Sequence, residues 1–390
     1  MRLWRQLQRR TPLGWLQLKH DRGRLLVALA GIAFADVLMF TQLGFQASIY
    51  DSNTRFHRAL NADIVLLSPK AQNLQNLSTF PRRRLFQAQD VPGVTAGDGL
   101  YVHTLTWRNP DTRLDATVQM FGFDPDAQLF RLPEVNRQQQ QLKLADTVLF
   151  DRGARGPYQG TIAALSKGQT LTTESERRTL RIQGLYSLGA SFGSDGTLMA
   201  SDITFLRQFP KRQAGSLSLG LLRLEPSANP DLVAEQLRRH LANDVKVLTR
   251  EGYIAFEQAY WRRASPVGVI FGMGTVMAFV VGVVIVYQVL STDVAAHLAE
   301  YATFRAMGYR TRFLLMVIFE EALVLASLGF IPGFILPLGI YALASKATFL
   351  PIAMTAERAL KVFVLTLMMC SASGAVATRR LQGADPAELF

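Results

Sequence analysis

The chain has 390 residues, of which 49% are hydrophobic, and its 42 Lys and Arg against 30 Asp and Glu give a formal net charge of +12. A positive mean hydropathy beside so many cations is expected when apolar spans alternate with basic flanks, and it is unusual for a cytosolic enzyme. The charge alone would also suit a nucleic-acid-binding protein, but no zinc-ligand spacing, basic repeat or RNA-binding aromatic motif accompanies it. The composition therefore indicates an integral membrane protein and excludes nucleic acid as the expected partner.

Four apolar stretches predict transmembrane helices at residues 25–47, 266–290, 313–343 and 362–378. Each stretch is close to the roughly 20 apolar residues that a helix needs to cross the hydrocarbon core. The first begins after a long basic region and is followed by no A-x-A-like cleavage site, so we interpret it as a retained span and not as a secretory signal.

A polar insert at residues 48–265 separates the first span from the other three. Its pattern is mixed: the apolar run 62–67 is typical of a buried strand, Asn109-Pro110-Asp111 marks a turn, and Asn229 with Pro230 predicts a helix start. The only cysteine, Cys370, lies in the last apolar stretch, so burial alone must hold the insert together. The predicted fold is four transmembrane helices with a large α+β domain inserted between helices 1 and 2, divided into two lobes by loops near 138–141 and 153–160.

Basic residues before the first span set the predicted topology. One acid, Asp21, accompanies seven cations: Arg2, Arg5, Arg9, Arg10, Lys19, Arg22 and Arg24. By the positive-inside rule both termini are cytoplasmic, with residues 291–312 as a cytoplasmic helix and loop and 379–390 as the tail. The insert and the short loop 344–361 then lie outside. Residues 1–24 suit an amphipathic segment on the membrane surface, or alternatively a solvated tail.

Polar residues inside the spans are costly, at roughly 2.5–3.5 kcal/mol for a central Asp. Asp36 lies mid-span with Gln42 further along, and Asp36 suits either a substrate route or a hydrogen-bonded packing contact that fixes helix register. Glu320 and Glu321 lie near the cytoplasmic end of the third span, where we expect an architectural role.

Gly268 and Gly272 are four residues apart in the second span. Small residues at this spacing let helix backbones approach closely, so they predict a packing seam, including one between two copies of the chain.

No enzyme motif is found in the sequence. Without G-x-x-x-x-G-K-[ST], ATP and magnesium must be bound and ATP hydrolysed by a partner chain. H-E-x-x-H, C-x-x-C and G-x-S-x-G are also missing, and the five histidines are scattered. We therefore expect no catalytic residues, no metal and no cofactor in this chain.

The loop between the second and third spans is rich in helix formers and is placed to meet a soluble partner. We therefore expect a short helix in this loop, and Gly308 is positioned to end it. The segment also suits a continuation of the second span beyond the bilayer. The candidate partner contacts are Ala299, Glu300, Tyr301, Ala302, Thr303, Phe304, Arg305, Ala306, Met307 and Gly308.

Residues 300–308, with the sequence EYATFRAMG, resemble the cytoplasmic loop of ABC permeases of the MacB and FtsX superfamily. The segments 122–126 (GFDPD) and 385–388 (DPAE) are similar to its DevC branch, the permease subunit of a glycolipid exporter. The resemblance implies an inner-membrane permease homodimer served by a separate ABC ATPase dimer, a periplasmic membrane-fusion adaptor and a TolC-like outer-membrane channel. It also implies contact with membrane lipids and mechanotransmission, in which ATP-driven closure of the ATPases moves the cytoplasmic helix and rearranges the outer domain.

The leading hypothesis is thus a permease subunit of an exporter for glycolipid or another amphiphile, with residues 299–308 contacting the ATPase. Three alternatives stay open: an FtsX-like relay that controls a cell-wall hydrolase, a lipoprotein-release permease, and a membrane-bound hydrolase. The cargo itself is not predicted by the sequence.

Overall fold

The computed structural model describes residues 22–175, 178–297, 303, 307 and 311–382, with the backbone only for 311–315 and 378–382. Its helices and strands, in chain order, are α1 (Arg22–Ala59), β1 (Ile64–Leu67), β2 (Phe80–Pro81), α2 (Arg83–Gln89), β3 (Val94–Arg108), β4 (Asp115–Phe123), α3 (Pro133–Gln138), β5 (Thr147–Asp151), α4 (Gln159–Ser166), β6 (Leu171–Glu174), β7 (Thr179–Tyr186), β8 (Thr197–Ser201), α5 (Asp202–Gln208), β9 (Ser216–Leu217), β10 (Leu219–Leu224), α6 (Pro230–His240), β11 (Lys246–Thr249), α7 (Arg250–Ala259), α8 (Pro266–Ala296), α9 (Thr311–Thr348) and α10 (Ala356–Gln382).

The chain divides into two compact units. The membrane unit comprises residues up to Ala47, Val269–Ala344 and the chain from Ile352 onward. The sheet unit comprises Ser48–Gly268 together with Ser345–Pro351.

Four helices of the described chain are long and apolar enough to cross a membrane: Arg22–Ala59, Pro266–Ala296, Met316–Thr348 and Ala356–Ala377. Their most apolar windows have mean hydropathies from 1.8 to 2.7, so the four predicted spans are confirmed as apolar helices. A core forms where the four helices meet, through Ile32, Val286, Leu325 and Met369 among others. Large exposed side chains such as Met273 and Ile335 cover the outside, as expected for a lipid-facing surface.

Helix α1 extends to Ala59, well beyond the predicted end at residue 47. Its last turns belong to the sheet unit, where Phe56 is buried and its ring stacks on Phe121 with centroids 4.3 Å apart. The hydropathy pattern ends early because Ser52, Asn53 and His57 in these turns are polar, although all three are buried.

The sheet unit is built on one nine-stranded sheet with the order β11-β1-β10-β3-β4-β8-β5-β7-β6. Most neighbours are antiparallel, but β4 with β8 and β5 with β7 are parallel pairs. The β3–β4 hairpin turns at the predicted site, where the Asn109 side chain accepts hydrogen bonds from the backbone of Asp111 (2.8 Å) and Thr112 (3.2 Å). The predicted division into two lobes stays a prediction.

Both faces of the sheet are covered, which explains why β1 is apolar at every position. Ile64 and Leu66 join the hydrophobic cluster under α2, α4, α5 and α6, whereas Val65 and Leu67 join the one under α3, α7 and the end of α1. As predicted, Asn229 caps α6 by accepting a hydrogen bond from the Asp231 backbone N–H at 2.9 Å.

Candidate functional site

The candidate site comprises the coupling segment, residues 299–308, and the polar residues of the spans. Of the coupling segment, the structure describes Thr303 and Met307; the other predicted contacts lie outside the described residues. The Met307 backbone N–H donates to the Thr303 carbonyl at 3.0 Å, which is one turn of helix, and the Met307 side chain is exposed.

Asp36 is fully buried where α1 meets α9 and α10. The Thr366 hydroxyl donates to Asp36 Oδ1 at 2.6 Å, while Asp36 Oδ2 has no hydrogen-bond partner among the described residues. A Cβ added at Gly333 would lie 2.6 Å from Asp36 Cβ, so α9 approaches α1 closely at this point. This enclosed arrangement supports the packing interpretation over a substrate route, and the role of Asp36 stays a prediction.

Replacing Gly333 by Ala should destabilise the membrane unit by about 1–3 kcal/mol, because the new methyl group overlaps Asp36 and the helices must move apart. Thermal unfolding of the purified chain in detergent measures the effect. Gly339→Ala in the same helix is the matched control, since a Cβ there meets no atom within 4 Å, and it should leave the melting temperature unchanged or slightly raised. Equal melting temperatures for the two variants would contradict the contact.

Gln42 lies over a glycine of the second span. A Cβ at Gly274 of α8 would come within 2.5 Å of Gln42 Cδ. The Gln42 amide therefore lies where the side chain of any residue other than glycine at position 274 would begin.

Glu321 is buried and Glu320 is half-buried in the early turns of α9. Glu321 interacts with Asp293 of α8, and His297 Nδ1 lies 3.5 Å from Asp293 Oδ2. Three titratable groups thus gather where α8 ends and α9 begins, on both sides of the coupling segment. The sequence indicated Glu321 but not its two neighbours.

The two glycines of the predicted seam have different surroundings. A Cβ at Gly268 would meet the carbonyl oxygens of Trp261 and Arg262 at 2.6 and 2.5 Å, so this glycine packs on the preceding turn. Gly272 has open space around it within the described chain. The close helix contacts involve other glycines, including Gly31, Gly282 and Gly329, and a seam between two copies at Gly272 stays a prediction.

Glu257 of α7 is the centre of a buried polar network in the sheet unit. Its carboxylate accepts hydrogen bonds from Trp261 Nε1 at 2.8 Å and the Leu74 backbone N–H at 2.9 Å, and His57 Nε2 of α1 lies 3.4 Å away. The His57 ring packs on Tyr253 at 4.2 Å between centroids. Burial, with the nearby Glu257 charge, raises the pKa of the Tyr253 hydroxyl well above its usual value.

Sequence reasoning missed the Glu257 network, although a signal was present. Tyr253, Glu257 and Trp261 are spaced by four residues and therefore share one helix face. The network ties together, inside the sheet unit, the end of α1 and the helix that precedes α8 in the chain.

A second buried acid, Asp151 at the end of β5, organises a loop. Its carboxylate accepts hydrogen bonds from the backbone of Gly153 (2.9 Å), Leu188 (3.0 Å) and Gly189 (2.8 Å) and from the Thr197 hydroxyl (3.0 Å). Burial raises the pKa of Asp151, and these hydrogen bonds oppose that shift. No group of three or more metal-binding side chains occurs in the part of the chain that the structure describes.

Residues 272–386 match the family described as FtsX-like permease C-terminal. This region of the chain is therefore similar to an FtsX-type permease domain. The match includes the coupling segment, and the predicted resemblance to the MacB and FtsX superfamily is confirmed. A permease of this type implies an ABC ATPase as partner. Membership of the DevC branch stays a prediction.

Three solved structures are similar to about half of this chain at low identity. The periplasmic region of MacB from Actinobacillus actinomycetemcomitans shares 10% identity over 50% of this chain and 91% of its own, with a TM-score of 0.34. The extracellular domain of the noncanonic ABC-type transporter YknZ from Gram-positive bacteria shares 13% identity over 48% and 100%, with a TM-score of 0.33. A domain of a putative permease protein from Porphyromonas gingivalis shares 14% identity over 50% and 90%, with a TM-score of 0.32. No curated protein matches the chain significantly.

Proposed function

We propose that the chain is the permease subunit of an ABC exporter that transmits ATP-driven motion from a separate ATPase to its sheet unit and moves glycolipid or another amphiphile. The observation that carries the proposal is the FtsX-type match at residues 272–386, which includes the coupling segment between α8 and α9. A segment between two spans gives a soluble ATPase a contact through which it can move the membrane helices. The chain itself carries no phosphate-binding loop, so its own contribution is mechanical.

The proposed arrangement has both termini and the coupling segment in the cytoplasm and the sheet unit in the periplasm. The basic residues before α1 support this orientation. In this arrangement two copies of the chain form a homodimer on an ATPase dimer, and the sheet units engage a membrane-fusion adaptor below a TolC-like channel. Asp36 is fully buried and enclosed by Thr366 and Gly333, which supports entry of cargo from the periplasmic side or the outer leaflet over a polar route through the spans.

Affinity capture from native membranes, followed by identification of bound proteins, tests the proposal. An ABC ATPase together with a membrane-fusion adaptor is the expected result. A cell-wall hydrolase in place of the adaptor would instead support an FtsX-like relay, and a lipoprotein bound to the sheet unit would support a lipoprotein-release permease. Capture without any ATPase would contradict the proposal.

A further inference from the structure

Two large exposed apolar side chains of the sheet unit, Phe192 and Phe349, lie next to the ends of predicted spans. Phe349 directly follows Thr348, the last residue of α9, and 46% of its surface is exposed. Phe192 is 44% exposed, and its ring contacts Trp261, which lies in the turn before α8, with centroids 5.5 Å apart. Trp and Tyr side chains at span ends are enriched at the depth of the lipid headgroups, so Trp261 before α8 is expected at that depth.

The guanidinium of Arg155 donates hydrogen bonds to both of the segments that carry these phenylalanines. Arg155 Nη2 donates to the carbonyl of Ser191 at 3.0 Å, and its Nε donates to the carbonyl of Thr348 at 3.2 Å. These are the residues that immediately precede Phe192 and Phe349. Arg155 Nη1 also pairs with Asp195 at 3.2 Å, which fixes the guanidinium. The two phenylalanines are therefore presented together, on segments far apart in the chain.

The backbone of Phe349 is strained. Its φ is 59°, the left-handed conformation that usually ends a helix with glycine, and its N–H closes the last turn of α9 by donating to the Ser345 carbonyl at 3.0 Å. A bulky side chain in this conformation is a genuine outlier, and such strain persists where the surroundings or function require it. Because the ring is half-exposed, burial within the chain does not account for a phenylalanine at this position.

The loop that carries Phe192 is fixed at its base. Asp151 accepts the backbone N–H groups of Leu188 and Gly189, and Gly189 itself has a φ of 95°. A Cβ at Gly193 would lie 2.1 Å from Gln75 Nε2, so the chain also packs closely just after Phe192. The phenyl ring is thus held outward on a constrained loop.

Exposed cations lie beside these aromatic residues in the chain. Arg262 and Arg263 follow Trp261 directly, and Lys346 precedes Phe349 by three residues. Arg262 also lies over the Tyr50 ring at 5.9 Å. Apolar rings with neighbouring cations at a span end complement a molecule that has acyl chains and an anionic headgroup.

We propose that Phe192 and Phe349 form a paired apolar wedge that contacts the acyl chains of an anionic amphiphile in the outer leaflet, while Arg262, Arg263 and Lys346 supply the charge for its headgroup. This proposal rests on the orientation given under the proposed function. It specifies the residues through which the permease contacts its class of substrate. Because Phe192 and Phe349 are carried by the sheet unit, motion of that unit would act directly on the bound chains.

Photo-crosslinking in vesicles tests the wedge. The full chain is reconstituted with phosphatidylethanolamine and a phosphatidylglycerol that carries a diazirine high in one acyl chain, and the labelled peptides are identified by mass spectrometry. We expect label on residues 191–193 and 348–350 as well as on the lipid-facing surface of α8 around Met273. Label on α8 but none on the two Phe segments would overturn the proposal, including the case in which a protein partner covers them.

Paired variants separate lipid contact from folding. Phe192→Ala combined with Phe349→Gly should reduce labelling of both segments at least tenfold and leave labelling of α8 unchanged. Phe349→Gly alone should keep or raise the melting temperature, because it relieves the left-handed strain. A lower melting temperature for Phe349→Gly with unchanged labelling would show a structural role and overturn the proposal.

The charge component has its own control. A phosphatidylcholine with the same diazirine chain should label the two segments several-fold less than phosphatidylglycerol does, and equal labelling would overturn the assignment of an anionic headgroup. Failure of the wedge is distinguishable from failure of the proposed function, because the labelling of Leu232→Cys described below reports orientation independently of lipid contact.

Discussion

Replacing Tyr301 and Phe304 together by Ala is expected to lower the affinity of the permease for its ABC ATPase by about 100-fold or more. Buried aromatic residues are the usual hot spots of protein interfaces, and each typically contributes about 2 kcal/mol or more when truncated. Because about 1.4 kcal/mol corresponds to a factor of ten, losing two such anchors, about 4 kcal/mol together, is enough to weaken binding by at least about 100-fold. Binding of the purified ATPase to the permease in detergent measures the loss directly.

The matched control for this variant is Phe86→Ala. Phe86 is an exposed aromatic residue of the sheet unit, with 56% of its surface accessible, and it lies outside the coupling segment. Its replacement should leave ATPase binding unchanged. If the coupling-segment variant also binds normally while remaining folded, residues 299–308 are not the ATPase contact.

The largest expected loss of stability follows from replacing Glu257 by Ala. The change leaves the Trp261 indole N–H and the Leu74 N–H without their acceptor, and it removes the carboxylate beside His57 in a site with no solvent access. Truncating one member of such a buried charged network costs about 3–5 kcal/mol. We expect a fall of roughly 10 °C in the melting temperature of the sheet unit.

Tryptophan fluorescence during thermal unfolding is suited to this measurement, because Trp261 is itself a partner of Glu257. Glu251→Ala in the same helix is the control: its side chain is 74% exposed and pairs only with Arg250 among the described residues, so the melting temperature should not change. Glu257→Gln should fall between the two, since it keeps an acceptor for one N–H. A Glu257→Ala protein as stable as the Glu251→Ala protein would show that the network does not hold α1 to α7.

The apolar spans were predictable from sequence because each carries a long run without charges, which few soluble helices do. Their ends were less predictable. The last turns of α1 contain His57 and Asn53, so the mean hydropathy of this window is low. The sheet unit nevertheless buries both side chains. Burial of a polar residue depends on partners elsewhere in the chain, and a local hydropathy average contains no information about them.

In the sheet, too, features set by neighbouring residues were predictable and features set by residues distant in the chain were not. The apolar run at residues 62–67 predicted β1, and Asn109 predicted the hairpin turn, because both signals are local. The parallel pairing of β4 with β8 joins strands more than 70 residues apart and follows from tertiary packing alone. Glu257 was missed for the same reason, since Leu74 is 183 residues away in the chain.

The coupling segment was found through its motif and not through geometry. Residues 300–308 match a recurring loop, whereas nothing in the local sequence indicated that Asp293, His297 and Glu321 gather at its two ends. Their proximity results from the packing of α8 against α9.

The most direct test of the central claim, that the ATPase contact and the sheet unit lie on opposite sides of the membrane, is cysteine accessibility in intact spheroplasts. In a Cys370→Ala background, Leu232→Cys and Met307→Cys place single thiols at two exposed positions, 65% and 61% accessible in the described chain. A membrane-impermeant maleimide should label Leu232→Cys at once and Met307→Cys only after permeabilisation. Labelling of Met307→Cys in intact spheroplasts, with Leu232→Cys protected, would contradict the account.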